Sequence, residues 1–80
     1  RHARISLVVT DSSGRLRMPE HSSVRFVRPT QASLDTTIVL KAGANRMSGI
    51  ASLPAAGVWD VVAEAVVGGV PLQISRRVIL

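Results

Sequence analysis

Residues 53–69 read LPAAGVWDVVAEAVVGG, and their pattern decides the fold. They hold the only tryptophan, Trp59. From there the even-step series Trp59, Val61, Ala63 and Ala65 is apolar throughout, while Asp60, Val62, Glu64 and Val66 mix charge with valine. A side-chain period of two marks a strand with one face against a core. Pro54 and Gly57 punctuate its start, and Gly68-Gly69 offers a tight hairpin turn at its end. A helix is the competing reading, because Val58, Val62 and Ala65 also fall on a helical stripe. The valines and flanking glycines weigh against it, since valine is stiff at χ1 and glycine loses backbone entropy in a helix.

The neighbouring segments repeat the same period. Arg4 to Thr10 alternates Ile5, Leu7 and Val9 against Ser6, Val8 and Thr10, a strand pattern. Asp11-Ser12-Ser13-Gly14 is a turn, in which Asp and Ser bond local backbone and Gly14 accepts a positive φ. Arg15 to Ser23 has no clean period, and Pro19 restricts it to an edge or a loop. Ser23 to Arg28 is a second strand, with Val24 and Phe26 on one side and Arg25 and Val27 on the other. Arg28 is expected at its end, where its charge reaches water, and Pro29 stops it. Thr30 to Asp35 reads as a polar connection rather than a helical turn.

Thr36 to Lys41 is a third strand, followed by a turn at Ala42-Gly43-Ala44-Asn45. Arg46 to Leu53 is a weakly patterned fourth, in which Gly49 suggests a bulge. Beyond the Trp59 strand, Val70 to Leu80 puts Leu72, Ile74, Val78 and Leu80 in one phase. Arg76 interrupts that phase, as a bulge or a snorkelling arginine would. Six or seven short strands, with a turn about every ten residues and no long helical pattern, predict an all-β domain. The fold class expected is an immunoglobulin-like antiparallel β-sandwich spanning residues 1–80, with a small barrel as the alternative.

Eighty residues is one small domain that buries only about 60% of its unfolded surface, so its core is thin. The hydrophobic content of 46% is that of a globular chain, and the absence of cysteine removes disulfides and thiol chemistry. No apolar run approaches the ~20 residues that cross a bilayer as a helix. The chain opens on Arg1 rather than methionine, which is expected of a fragment whose targeting segment, if any, has been cut off.

Nine arginines and Lys41 give a net charge of +5. A basic nucleic-acid-binding module is one reading of that charge. The arginines are scattered along the chain, however, and one Phe and one Trp offer little base stacking, so no nucleic-acid partner is expected. Catalysis is not expected either. His2 and His21 lie at a terminus and in a loop, and Asp60 and Glu64 are about 13 Å apart along a strand. No catalytic or cofactor-binding residue is therefore assigned. The Met18-Pro19-Glu20-His21 segment pairs a thioether with an imidazole, ligand types that suit copper, and His2 or Met47 could complete a site. Met18 and His21 are weak metal candidates, since two ligands do not make a site. The solvent-side apolar positions Val62 and Val66, together with Ile50, are the candidates for an interaction patch.

Three stretches carry a family resemblance: Val27-Arg28-Pro29-Thr30 with Ala32 and Asp35, Leu53-Pro54-Ala55-Ala56-Gly57-Val58-Trp59-Asp60, and Gly69-Val70-Pro71-Leu72 running to Arg76-Arg77-Val78. Together they resemble the periplasmic domain of FixH/CcoH-type proteins over nearly the whole chain. The LPxxGxW piece recurs in other small periplasmic sandwiches, including the YtkA-like group, and the RPT piece narrows the likeness. Relatives often carry an aromatic shortly before the LP dipeptide, where this chain has Met47 and no tyrosine. The resemblance implies a periplasmic accessory domain held by an N-terminal membrane anchor. It implies membrane-protein partners in the assembly of a high-affinity haem-copper cytochrome oxidase, near a copper-transporting P-type ATPase and a ferredoxin-like membrane protein.

Overall fold

The computed structural model describes residues 2–80 and, at Ala32, the backbone only. In chain order its strands are β1 (His2–Leu7), β2 (Val9–Thr10), β3 (Leu16–Arg17), β4 (His21–Val27), β5 (Thr36–Val39), β6 (Lys41–Ala42), β7 (Met47–Ser52), β8 (Val58–Val67) and β9 (Val70–Ile79). A 3₁₀ turn covers Ala32–Leu34. One sheet has the order β1-β7-β6, the other β5-β4-β8-β9, and β2 pairs with β3 by itself. Every pairing is antiparallel. This is the expected all-β sandwich.

The Trp59 strand runs through the larger sheet as expected. Trp59 is fully buried and Ala65 nearly so, while Val61 and Ala63 pack against the core. Val24, Phe26, Leu40, Met47, Ala51 and Leu53 complete that core from both layers. The β8–β9 hairpin closes through Gly68 and Gly69, both with positive φ (57° and 78°), which any side chain would resist.

Two expected strands are each split where the chain changes ladder. The Arg4–Thr10 stretch breaks at Val8, and the Thr36–Lys41 stretch breaks at Leu40. Leu40 is 3% exposed at the crossover from the larger sheet to the smaller one, and its N–H donates to the Ser22 carbonyl at 3.0 Å. The 30–35 connection does form a helical turn. Gln31 and Leu34 donate to the Arg28 and Gln31 carbonyls, and half-buried Leu34 anchors the turn on the core.

Neither suspected bulge exists. Residues 2–7 pair with residues 52–47 without a break, and Gly49 faces Ile5 across the ladder. A Cβ at Gly49 would lie 3.0 Å from a Leu40 methyl and 3.2 Å from an Ile38 methyl, so the glycine admits side chains from the opposite layer. The β8–β9 register is likewise continuous past Arg76, which faces Val61. Arg76 is tolerated in the apolar phase because β9 overhangs the smaller sheet. Its neighbours in that phase, Leu72 and Ile74, keep 43% and 48% exposure.

Gly49→Leu is expected to lower unfolding stability by about 1–3 kcal/mol through overpacking. Gly49→Ala, whose methyl needs only a small shift of two side-chain ends, should cost less than about 1 kcal/mol. Urea denaturation midpoints of the two variants check the ordering.

Candidate functional site

Two of the three stretches that carry the family resemblance, those around Arg28 and Trp59, meet at one end of the sandwich, while the third starts at the β8–β9 hairpin at the other end. Arg28 leaves β4, and its guanidinium carbon lies 5.1 Å from the centroid of the Trp59 ring. A cation over an indole face is attracted by the ring quadrupole. Arg28 Nη1 donates to the Ala56 carbonyl at 2.6 Å, and its backbone N–H donates to Asp35 Oδ1 at 3.0 Å. Trp59 Nε1 donates to the Ala55 carbonyl at 3.0 Å, so the buried indole keeps a partner. Gly57 has φ 113° and exchanges two backbone hydrogen bonds with Leu80, tying the loop to the end of the chain. A Cβ there would meet Arg28 Nη1 at 3.2 Å. Arg28 is thus not only a charge at a strand end, as its position suggested. It roofs the core tryptophan and pins the loop before β8. Nothing in the period of two announces this contact, although the LPxxGxW and RPT spacings were its trace.

The three candidate interaction positions do not form one patch. Val62 and Val66 lie on the outer face of the larger sheet, half-buried, with Val62 opposite Arg25 and Ser75 and Val66 opposite His21 and Pro71. Ile50 is 61% exposed on the outer face of the smaller sheet, opposite Arg4. The two faces point away from each other, which corrects the expectation that Ile50 joins the valines.

Met18 sits exposed in the loop before β4, and His21 opens that strand beside the β8–β9 hairpin end. His2 pairs with Ser52 at the opposite end of the sandwich and cannot complete a site there. Met47 is buried, yet it borders the same surface depression as His21, together with Glu20, Ser22 and Glu64. Among the described residues no group of three or more His, Cys, Asp or Glu could hold a metal ion. Glu20 is engaged with the hairpin, accepting from the Gly69 N–H at 3.3 Å.

Arg25, Arg76 and Arg77 border one depression on the outer face of the larger sheet, beside Asp60 and Val62, while Arg4 lies on the opposite outer face and Arg28 against Trp59. Arg77 Nε donates to Asp60 Oδ1 at 2.8 Å, the one ion pair among the described residues. That hydrogen bond, with the guanidinium charge behind it, holds the Asp60 carboxyl below its ordinary value of 3.8. Asp11 is lowered too, first by the Ser13 hydroxyl and then by the Arg15 N–H, in the turn that closes β2 on β3.

Set against known proteins, the chain is matched over residues 1–78 by a family model described as FixH. No curated protein and no solved structure matches it.

Arg28→Lys keeps the charge but loses the planar fork, and is expected to destabilise by about 1 kcal/mol or more. Gly57→Ala should cost about 1–3 kcal/mol through its positive φ. Both are read from urea unfolding followed by Trp59 emission. Asp11 and Asp60 have folded values below their unfolded ones. Their contribution is present above 3.8 and is lost as pH falls through the lowered values. Acid titration of Asp11→Asn/Asp60→Asn should therefore show a shallower loss of stability below pH 3.8 than the parent.

Proposed function

This chain belongs to the FixH family, and from that we propose a non-enzymatic interaction domain of a membrane-tethered periplasmic protein that serves assembly of a high-affinity haem-copper cytochrome oxidase. The observation that carries this reading is where the residues of the RPT and LPxxGxW stretches go. Arg28, Asp35, Gly57 and Trp59 bond to one another and to backbone rather than lining a cleft. What the domain offers a partner is therefore its sheet faces and its edges. The outer face of the larger sheet, with half-buried Val62 between Arg25 and Ser75, presents mixed apolar and charged groups, as the rim of a protein interface does. Among the described residues no helix is long and apolar enough to cross a membrane, so the tether in this reading comes from sequence outside this domain.

Deleting the gene is expected to lower assembled oxidase several-fold, measured by haem spectra and oxygen uptake of membranes. The intact gene should restore it, and a version lacking this domain should not. Full oxidase levels in the deletion strain, or restoration without the domain, would overturn the reading.

A further inference from the structure

We propose that β9 is a strand-addition site, taking an extended segment of another protein that is apolar on alternate residues and acidic near Arg76. This deepens the docking reading by naming the surface and the chemistry of its partner.

β9 is ten residues long and, among the described residues, pairs only with β8, which leaves its far edge free of them. The groups on that edge follow from the register. Gly57 and Leu80 exchange both backbone hydrogen bonds, and the pairing continues in step to Val67 opposite Val70. In an antiparallel ladder such pairs alternate with non-bonded ones. The even-numbered β9 residues therefore bond β8. The N–H and C=O groups of Gln73, Ser75, Arg77 and Ile79 point to the open side. Pro71 shares that phase and donates nothing, which suits an edge.

Beside the free edge lies an apolar trough of about 300 Å³, between the Leu7–Thr10 stretch and the inner face of the hairpin. Leu7, Val9, Ala63, Ala65, Leu72 and Ile74 border it. It exists because the smaller sheet does not reach over β9, leaving Leu72 and Ile74 about half exposed. An added strand would satisfy the edge amides and lay alternate side chains over this trough.

Charge selects the occupant. Arg76 follows Ile74 in the register just beyond the trough, borders the outer-face depression with Arg25 and Arg77, and has no ion pair among the described residues, while Arg77 is held by Asp60. A second copy would bring its own Arg76 to the edge, on a chain that itself carries a net charge of +5. A charge on the inner side of an edge strand disfavours such self-pairing. The same arginine attracts a strand with a carboxylate opposite it. An antiparallel partner would thus present an acidic residue opposite Arg76, then apolar residues toward Ile74 and Leu72.

The test uses a synthetic peptide, Ser-Glu-Thr-Val-Thr-Val-Ser, and amide hydrogen exchange resolved by residue. In the free chain the amides of Gln73, Ser75, Arg77 and Ile79 should exchange fast, and those of Leu72, Ile74, Arg76 and Val78 slowly. Peptide should protect the first set. Ser75→Pro removes only an edge donor, so it should retain the Trp59 emission and bind about tenfold more weakly. Arg76→Glu should shift preference to the same peptide with Lys in place of Glu. Unprotected edge amides at saturating peptide, equal binding by Ser75→Pro, or edge protection without peptide that grows with protein concentration (a second copy) would each overturn the proposal. The assay reads the edge alone, so its failure leaves the oxidase reading standing, and failure of the oxidase experiment leaves the edge standing.

Discussion

A guanidinium laid on a buried indole holds the two ends of this sandwich's longest strand pair in place. Arg28 stacks on Trp59 and reaches the Ala56 carbonyl, and Trp59 reaches the Ala55 carbonyl. Next along the chain is Gly57, where a Cβ would press on the Arg28 guanidinium and whose backbone bonds Leu80 to fasten β9. An 80-residue domain has few large side chains to bury. Here the largest one is fixed by a charge above it and an acceptor beside it. Remove the roof, and the loop 53–57 loses its hold on β4, β8 and the chain end together.

That arrangement spends the polar groups of the two motifs on the fold itself. The arginine, the aspartate and the tryptophan are satisfied within the fold, the aspartate by the Arg28 backbone itself. Two surfaces of the larger sheet stay open beyond that cluster. One is the outer face of the larger sheet, where Arg77 and Asp60 flank Val62. Another is the overhanging β9, whose backbone is unpaired on one side and whose leucine and isoleucine are only half covered. A three-stranded layer facing a four-stranded one leaves such an overhang as a direct result of strand count.

Much of this was legible in the residues, and what was not has a common cause. Alternation placed Trp59, Val61, Ala63 and Ala65 inward, and the glycine pair marked the hairpin where φ turns positive. Alternation reports that a strand has two faces, but not which sheet the strand belongs to or what lies over each face. The crossing at Leu40 therefore looked like one uninterrupted strand, Gly49 looked like a bulge rather than room for Ile38 and Leu40, and Ile50 looked like a neighbour of Val62. Arg76 appeared to break a phase that is in fact continuous, and its exposed place on the edge strand lets the charge reach water, as a snorkelling arginine does. The Arg28 contact spans 31 positions to Trp59, beyond the reach of any local period.

Whether Arg28 and Trp59 act as one unit is read from a double-mutant cycle. Unfolding free energies of the parent, Arg28→Met, Trp59→Phe and the double variant would be measured by urea denaturation with circular dichroism. A coupling energy of about 0.5–2 kcal/mol is expected between the two positions. Additivity within about 0.3 kcal/mol would contradict it.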